Sequence, residues 1–212
     1  MKALRKNSGF TIVELLIVIV VIGILAAIVI VAYNGVQLRA RNANTASVIE
    51  AYKKALTQYA TLNQAYPTSG TACIGEDYPD TGAYTVANSR NCFRSSTSAI
   101  INTTFNNNLK PLMGGKLPTP NNTVFGSGSS PWAIRGAMMH TSTGLKINGV
   151  PSPWVLIYSM EGETKCPVGP IADVNTYPNT DGSPPASGYS VLISGGTVGV
   201  ECWLMMPDPA KL

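Results

Sequence analysis

The sequence predicts an α+β fold: one long N-terminal helix followed by antiparallel strands. Three observations predict it. No proline interrupts the chain from Phe10 to about Leu62, and Pro67 is the first in the sequence. The first half of that span is apolar on every side, while the second half places apolar residues on one helical face. Beyond it, a stretch rich in Ser, Thr, Asn, Gly and Pro gives way to runs of β-favouring residues.

The N-terminal end is the most specific part of the chain. Three basic residues, Lys2, Arg5 and Lys6, precede Gly9 and Phe10, and an apolar run extends from Phe10 to Ala32. That run is long enough to span a bilayer. It carries one carboxylate, Glu14, near its start. A charged side chain inside a membrane costs roughly 2.5–3.5 kcal/mol, so such a group implies a partner and a task. An ordinary secretory signal has a shorter apolar core, of about 7–15 residues, and a small-x-small cleavage site; neither is present. A plain anchor explains the hydrophobicity but not Glu14 or the Gly9-Phe10 junction. Charge fixes orientation only weakly, because Arg39 and Arg41 flank the far end of the run.

The second half of the helix is amphipathic. Val48, Tyr52, Ala55, Tyr59 and Leu62 fall at helical spacing and read as the stripe on which a globular domain sits. Arg39, Arg41, Lys53, Lys54 and Gln58 take other faces, and Glu50 is placed to pair with Lys54 one turn on. Gly23 and Asn34-Gly35 are weak points, since glycine costs about 1 kcal/mol relative to alanine. Gly23, Ala26 and Ala27 offer a small surface for close helix approach. Tyr66 before Pro67 disfavours further helix. Residues 66–131 read as a connection. Strands are expected at Trp132–Met139, Trp154–Met160, Tyr189–Ile193 and Val198–Met205, with Gly195-Gly196 as a hairpin turn between the last two.

Composition narrows the function classes. Charged residues are 12% of the 212, about half the usual share, so the exterior is polar but sparsely charged. The net charge of +4 includes Lys2, Arg5 and Lys6; without them, twelve basic side chains face eleven acidic ones. No acidic residue lies between Asp80 and Glu161, a stretch holding Arg90, Arg94, Lys110, Lys116, Arg135 and Lys146. After residue 160 the balance reverses. Three readings fit: a basic patch for nucleic acid or an acidic cell surface, complementary faces between subunits, or neutralisation within one subunit. The only histidine, His140, stands beside no nucleophile or metal-ligand motif, and no phosphate loop is present. The chain therefore reads as non-enzymatic, with no cofactor and no metal. Asn102-Thr103-Thr104 and Asn121-Asn122-Thr123 match the N-glycosylation pattern but read as loop polarity.

The four cysteines, Cys73, Cys92, Cys166 and Cys202, all follow the apolar run and form no Cys-x-x-Cys. An even count beyond a membrane segment fits disulfides in an oxidising compartment. Of the three connectivities, Cys73–Cys92 with Cys166–Cys202 is favoured because each closes a local loop.

The order basic leader, Gly9, Phe10, Thr11, Glu14 and apolar run resembles the class III signal of type IV pilins and their pseudopilin relatives. The resemblance implies cleavage by a prepilin peptidase after Gly9, methylation of the new N-terminus at Phe10, and guidance of assembly by Glu14. It implies a leader at 1–9, a transmembrane and polymerisation half at 10–32, an amphipathic half at 33–65 and a connection at 66–131. A sheet with a Cys-closed C-terminal region then follows at 132–212. The Cys166–Cys202 loop resembles the C-terminal disulfide loop of many pilins. Many pilins also carry a proline late in the apolar run, and this chain has none there.

The reading that follows is a structural subunit, stored as a single-pass protein in the cytoplasmic membrane with its C-terminal domain outside. It would be assembled by a pilus platform into a homo-oligomeric cell-surface filament. Two alternatives stand beside it. One is a pseudopilin of a secretion or DNA-uptake machine. The other is a membrane-anchored adhesin or binding module that never polymerises.

Overall fold

The computed structural model describes residues 11–67, 70–78, 91–94, 99–123, 133–141, 146–147, 150–151, 154–163, 166–169, 189–194 and 197–212. The chain divides into two compact units, Met1–Ala40 and Arg41–Leu212. One helix, α1 (Ile12–Asn63), runs through both.

In the first unit α1 is almost wholly Ile, Val, Leu and Ala, and its large apolar side chains from Ile12 to Ile30, with Tyr33 and Val36, are exposed. Ile and Val are indifferent helix formers in water. In a medium without water, however, only a helix satisfies its own backbone polar groups, and the sequence suits that medium. Its most apolar 18-residue window has a mean hydropathy of 3.6, long and apolar enough to cross a membrane.

In the second unit α1 changes character. Val48, Ile49, Tyr52, Ala55, Leu56 and Ala60 are buried, so about one face in three is covered. Tyr59 is half-buried, and Leu62 is 70% exposed, so the expected stripe stops a turn early. The helix ends at Asn63 because Gln64 takes a left-handed conformation (φ 54°), three residues before Pro67 intervenes. Glu50 pairs with Lys53 at 3.8 Å rather than with Lys54.

The connection after the helix carries short elements of its own: β1 (Ala72–Cys73), β2 (Asn91–Arg94), β3 (Ala99–Ile100), α2 (Thr103–Leu109) and a 3-10 turn at Lys110–Met113. Asn102 caps α2 by accepting from the Phe105 amide at 3.0 Å, so the first Asn-x-Thr serves a structural role. Then come β4 (Ala133–Ile134), β5 (Ala137–Thr141), β6 (Lys146–Ile147), β7 (Val150–Pro151), β8 (Trp154–Glu161), β9 (Tyr189–Ser194) and β10 (Thr197–Met205).

Five strands form the main sheet in the order β1-β5-β8-β10-β9, with every neighbour antiparallel. The register runs Met205↔Val155 to Gly199↔Glu161 between β10 and β8, and Cys202↔Tyr189 to Thr197↔Ser194 between β10 and β9. That last pair brackets Gly195-Gly196, which lies outside the described residues. Alternation then sorts the strands by face. Ala137, Met139, Leu156, Tyr158, Met160, Val200, Cys202 and Leu204 join the α1 residues in one core. Met138, Val155 and Ile157, with Trp203 and Met205, form a second cluster with Cys73, Tyr78, Cys92 and Ile134 on the other side. The small sheet β3-β2-β4 contributes to that outer cluster, and β6-β7 is a separate pair.

The run expected as one strand, Trp132–Met139, is two. Trp132 lies outside the described residues; Ile134 pairs with Phe93 in the small sheet, while Ala137 pairs with Tyr158 in the large one. Gly136 makes the break with a φ of 64°, and a Cβ there would lie 2.5 Å from the Tyr78 hydroxyl. That hydroxyl donates to Ile74 O at 2.6 Å and accepts from the Ala137 amide at 3.2 Å, pinning the corner.

Candidate assembly site

The start of α1 is built by two residues of opposite chemistry. Thr11 precedes the helix, and its Oγ1 accepts from the Glu14 amide at 3.2 Å. In return the Thr11 amide donates to Glu14 Oε2 at 2.8 Å, and the Thr11 hydroxyl donates to the same oxygen at 2.9 Å. This is a reciprocal capping box: each side chain satisfies a backbone N–H that the first turn would leave orphaned. Glu14 also places negative charge at the positive end of the helix dipole. The sequence announced this box as Thr-x-x-Glu before an apolar run. Beside the assembly role that the resemblance implies, Glu14 therefore has a local one.

Among the described residues, Glu14 Oε1 accepts no hydrogen bond, and no cation pairs with Glu14. One oxygen is thus committed to Thr11, and the other is open on an exposed helix surface. Gly9 and Phe10 lie outside the described residues. Downstream of Glu14 the surface from Leu15 to Ile30 is apolar and exposed, and a Cβ at Gly23 or Gly35 would meet nothing within 4 Å.

The remaining candidate residues are placed as follows. Disulfides join Cys73 to Cys92 and Cys166 to Cys202. The first ties β1 of the large sheet to β2 of the small one; the second ties residue 166, just beyond β8, to the middle of β10. His140, half-buried in β5, contacts Thr71 Oγ1 through Nδ1 at 2.9 Å, and burial pushes its pKa down. No group of three or more metal-ligating side chains occurs among the described residues.

Several acidic residues after 160 find partners outside the basic stretch. Glu161 pairs with Arg41 at 3.3 Å and accepts from Thr123 at 3.0 Å. Asn42 donates to the Glu161 carbonyl at 2.7 Å and to Glu163 Oε1 at 3.3 Å. Asp208 pairs with Lys211 at 3.7 Å, and Lys110 with Glu76 at 2.7 Å. Arg135 is buried, its guanidinium 5.6 Å from the Tyr78 ring. Arg90, Asp173 and Asp181 lie outside the described residues.

Comparison with known proteins falls on the same N-terminal segment. Residues 4–30 match the family model for the prokaryotic N-terminal methylation motif. The type II secretion system core protein G of Vibrio cholerae is 38% identical over 69 residues, which is 32% of this chain and 47% of that protein. The fimbrial protein of Neisseria meningitidis is 38% identical over 72 residues, 34% of this chain and 41% of that protein. The type IV major pilin protein PilE1 of Neisseria gonorrhoeae is also 38% identical over 72 residues, 34% of this chain and 42% of that protein. The chain thus carries the methylation motif and is homologous in its first third to type IV pilins and to the secretion core protein G. It spans less than half the length of the relatives it matches. No solved structure matches it.

Proposed function

We propose that this chain is a structural subunit of a type IV pilus or pilus-like filament. The observation that carries the proposal is the juxtaposition of the methylation motif, a membrane-length apolar helix and a single carboxylate with one oxygen uncommitted. A prepilin peptidase cuts after Gly9 and frees an amine at Phe10, which is then methylated. The cut subunit waits in the cytoplasmic membrane with its sheet domain outside. An assembly platform then packs its apolar helix against those of subunits already in place. There the amine of an incoming Phe10 meets the Glu14 of a neighbour. Pairing offsets the desolvation of both charges, whereas a lone carboxylate in that setting stays uncompensated. The pair therefore selects axial register more than it adds stability. Thr11 keeps the carboxylate pointed and half-satisfied before the partner arrives.

The test is the ratio of sheared-filament to membrane-retained protein. Glu14→Ala makes the segment more apolar and leaves Gly9 untouched, so insertion and leader removal persist while filament falls sharply. Glu14→Gln keeps the size, loses the charge and gives the same result. Wild-type ratios in both variants would show that Glu14 does not govern assembly, and absence of this chain from sheared filament even in wild type would favour a membrane-anchored module that never polymerises.

A second reading, a pseudopilin of a secretion machine, is favoured by the similarity to core protein G. Immunogold labelling separates the two: long surface filaments carrying this chain indicate a pilus, and their absence with assembly still dependent on Glu14 indicates a pseudopilus.

A further inference from the structure

One buried acid lies outside the assembly site. Glu201 sits mid-strand in β10, only 9% exposed, on the sheet face opposite α1. Its register partners are Ser159 in β8 and Ser190 in β9. Trp203 Nε1 donates to its Oε1 at 2.6 Å, the only hydrogen bond to its carboxyl among the described residues. Ser159 is 1% exposed and its Oγ has no partner, so it gives the carboxyl nothing.

The surrounding elements supply no counter-charge among the described residues. On β5, His140 meets the Trp203 ring edge-on at 6.1 Å, and burial pushes its pKa down. On β8, Val155 and Ile157 share the face; Glu161, at the strand end, is engaged by Arg41 and Thr123. β9 holds no ionisable residue except Tyr189, and β4 holds none. β2 ends in Arg94; past β4, Arg135 lies over Tyr78. A buried carboxylate with one donor and no cation is desolvated without compensation, whereas the neutral acid is tolerated.

We propose that Glu201 is a proton-controlled lock on the β9–β10 hairpin: as a neutral acid it closes the outer face of the sheet, and on losing its proton it loosens the edge. The direction follows from burial, which pushes its pKa from the ordinary 4.5 up to about 7 against the opposing pull of the Trp203 hydrogen bond. A pKa raised in the folded state contributes stability that is complete below about pH 4.5. That contribution is lost as pH rises through about 7. The hairpin is where the strain is released. β10 is held on its other side by β8 and by Cys166–Cys202, whereas among the described residues β9 is at the sheet edge and pairs with β10 alone.

Hydrogen exchange on the full chain in detergent micelles tests the lock, with rates corrected for intrinsic pH dependence. Between about pH 5.5 and about pH 8, protection of β9 amides should fall roughly tenfold or more in wild type and under about threefold in Glu201→Gln. Equal falls in both, or no fall in wild type, would overturn the proposal. Infrared spectroscopy on the wild-type chain supplies a measurement that does not depend on the variant folding. A protonated-carboxyl C=O stretch should be present at about pH 5.5 and gone by about pH 8; its absence at the lower pH overturns the proposal as well.

Discussion

Thr11 and Glu14 hold each other through three hydrogen bonds, which separates what each contributes. Thr11→Ala removes the cap but leaves the carboxylate. It should cost about 1 kcal/mol at the helix start, read as faster amide exchange at Glu14 and Leu15, while filament yield falls less than in Glu14→Ala. Unchanged exchange at both amides would show that the cap is not formed in the membrane. Gly136 is a second position where one residue decides local structure. Its left-handed φ and the Tyr78 hydroxyl 2.5 Å from any added Cβ leave room for nothing larger than hydrogen. Gly136→Ala should destabilise the sheet domain by about 2–4 kcal/mol in denaturant titration of the full chain. A loss under about 0.5 kcal/mol would mean the corner can relax.

α1 is one element with two environments, and its residues should respond accordingly. Leu56 is fully buried against the sheet, while Leu62, also on the expected stripe, is 70% exposed. Leu56→Ala should cost about 2–5 kcal/mol because it leaves a cavity among packed neighbours. Leu62→Ala should change stability by about 0.5 kcal/mol or less. Equal effects of the two would contradict the packing described. The sheet shows the same dependence on neighbours. β10 pairs on both sides and alternates cleanly, so Val200, Cys202 and Leu204 face α1 while Trp203 and Met205 face outward. Tyr158, on the α1 side of β8, exchanges hydrogen bonds with the backbone of Val168 at 3.3 Å, and its burial raises its pKa to about 12. That bond and the nearby Cys166–Cys202 link fasten residues 166–169 over the sheet.

For the whole molecule, the filament reading predicts the covalent form of the surface protein. Mass spectrometry of sheared material should find a chain beginning at Phe10 with one added methyl group, and Gly9→Val should retain the leader. Met1 or a terminus downstream of Phe10 on surface protein would refute that processing. Non-reducing peptide maps should show Cys73–Cys92 and Cys166–Cys202. Replacing the second pair by serines should cost about 2–5 kcal/mol. A Cys73–Cys166 peptide would require a different arrangement of the two sheets.

Features that depend on neighbours along the chain are legible in the residues alone. A basic leader, Gly9, Phe10, Thr11, Glu14 and an unbroken apolar run are local and ordered, so the resemblance and the long helix were legible without a structure. The capping box was equally legible, since its spacing is set by one helical turn. Strand positions at 154–161, 189–194 and 197–205 were likewise close to what β-favouring runs and a Gly-Gly turn imply. Tertiary structure decided whatever depends on distant residues. Val48 and Leu62 fit the same helical period, but only the sheet's extent determines which is covered. The 132–139 run looked continuous because nothing local showed that Tyr78, some sixty positions earlier, needs Gly136 to turn aside. Cysteine pairing lies between the two: local loop closure favours Cys73–Cys92 and Cys166–Cys202 among three connectivities, and their Cα separations of 5.6 and 5.7 Å exist only once the sheets are packed. Glu201 is the extreme case. Its one donor, Trp203, lies two residues along the same strand, but its burial comes from the packed strands that remove it from water.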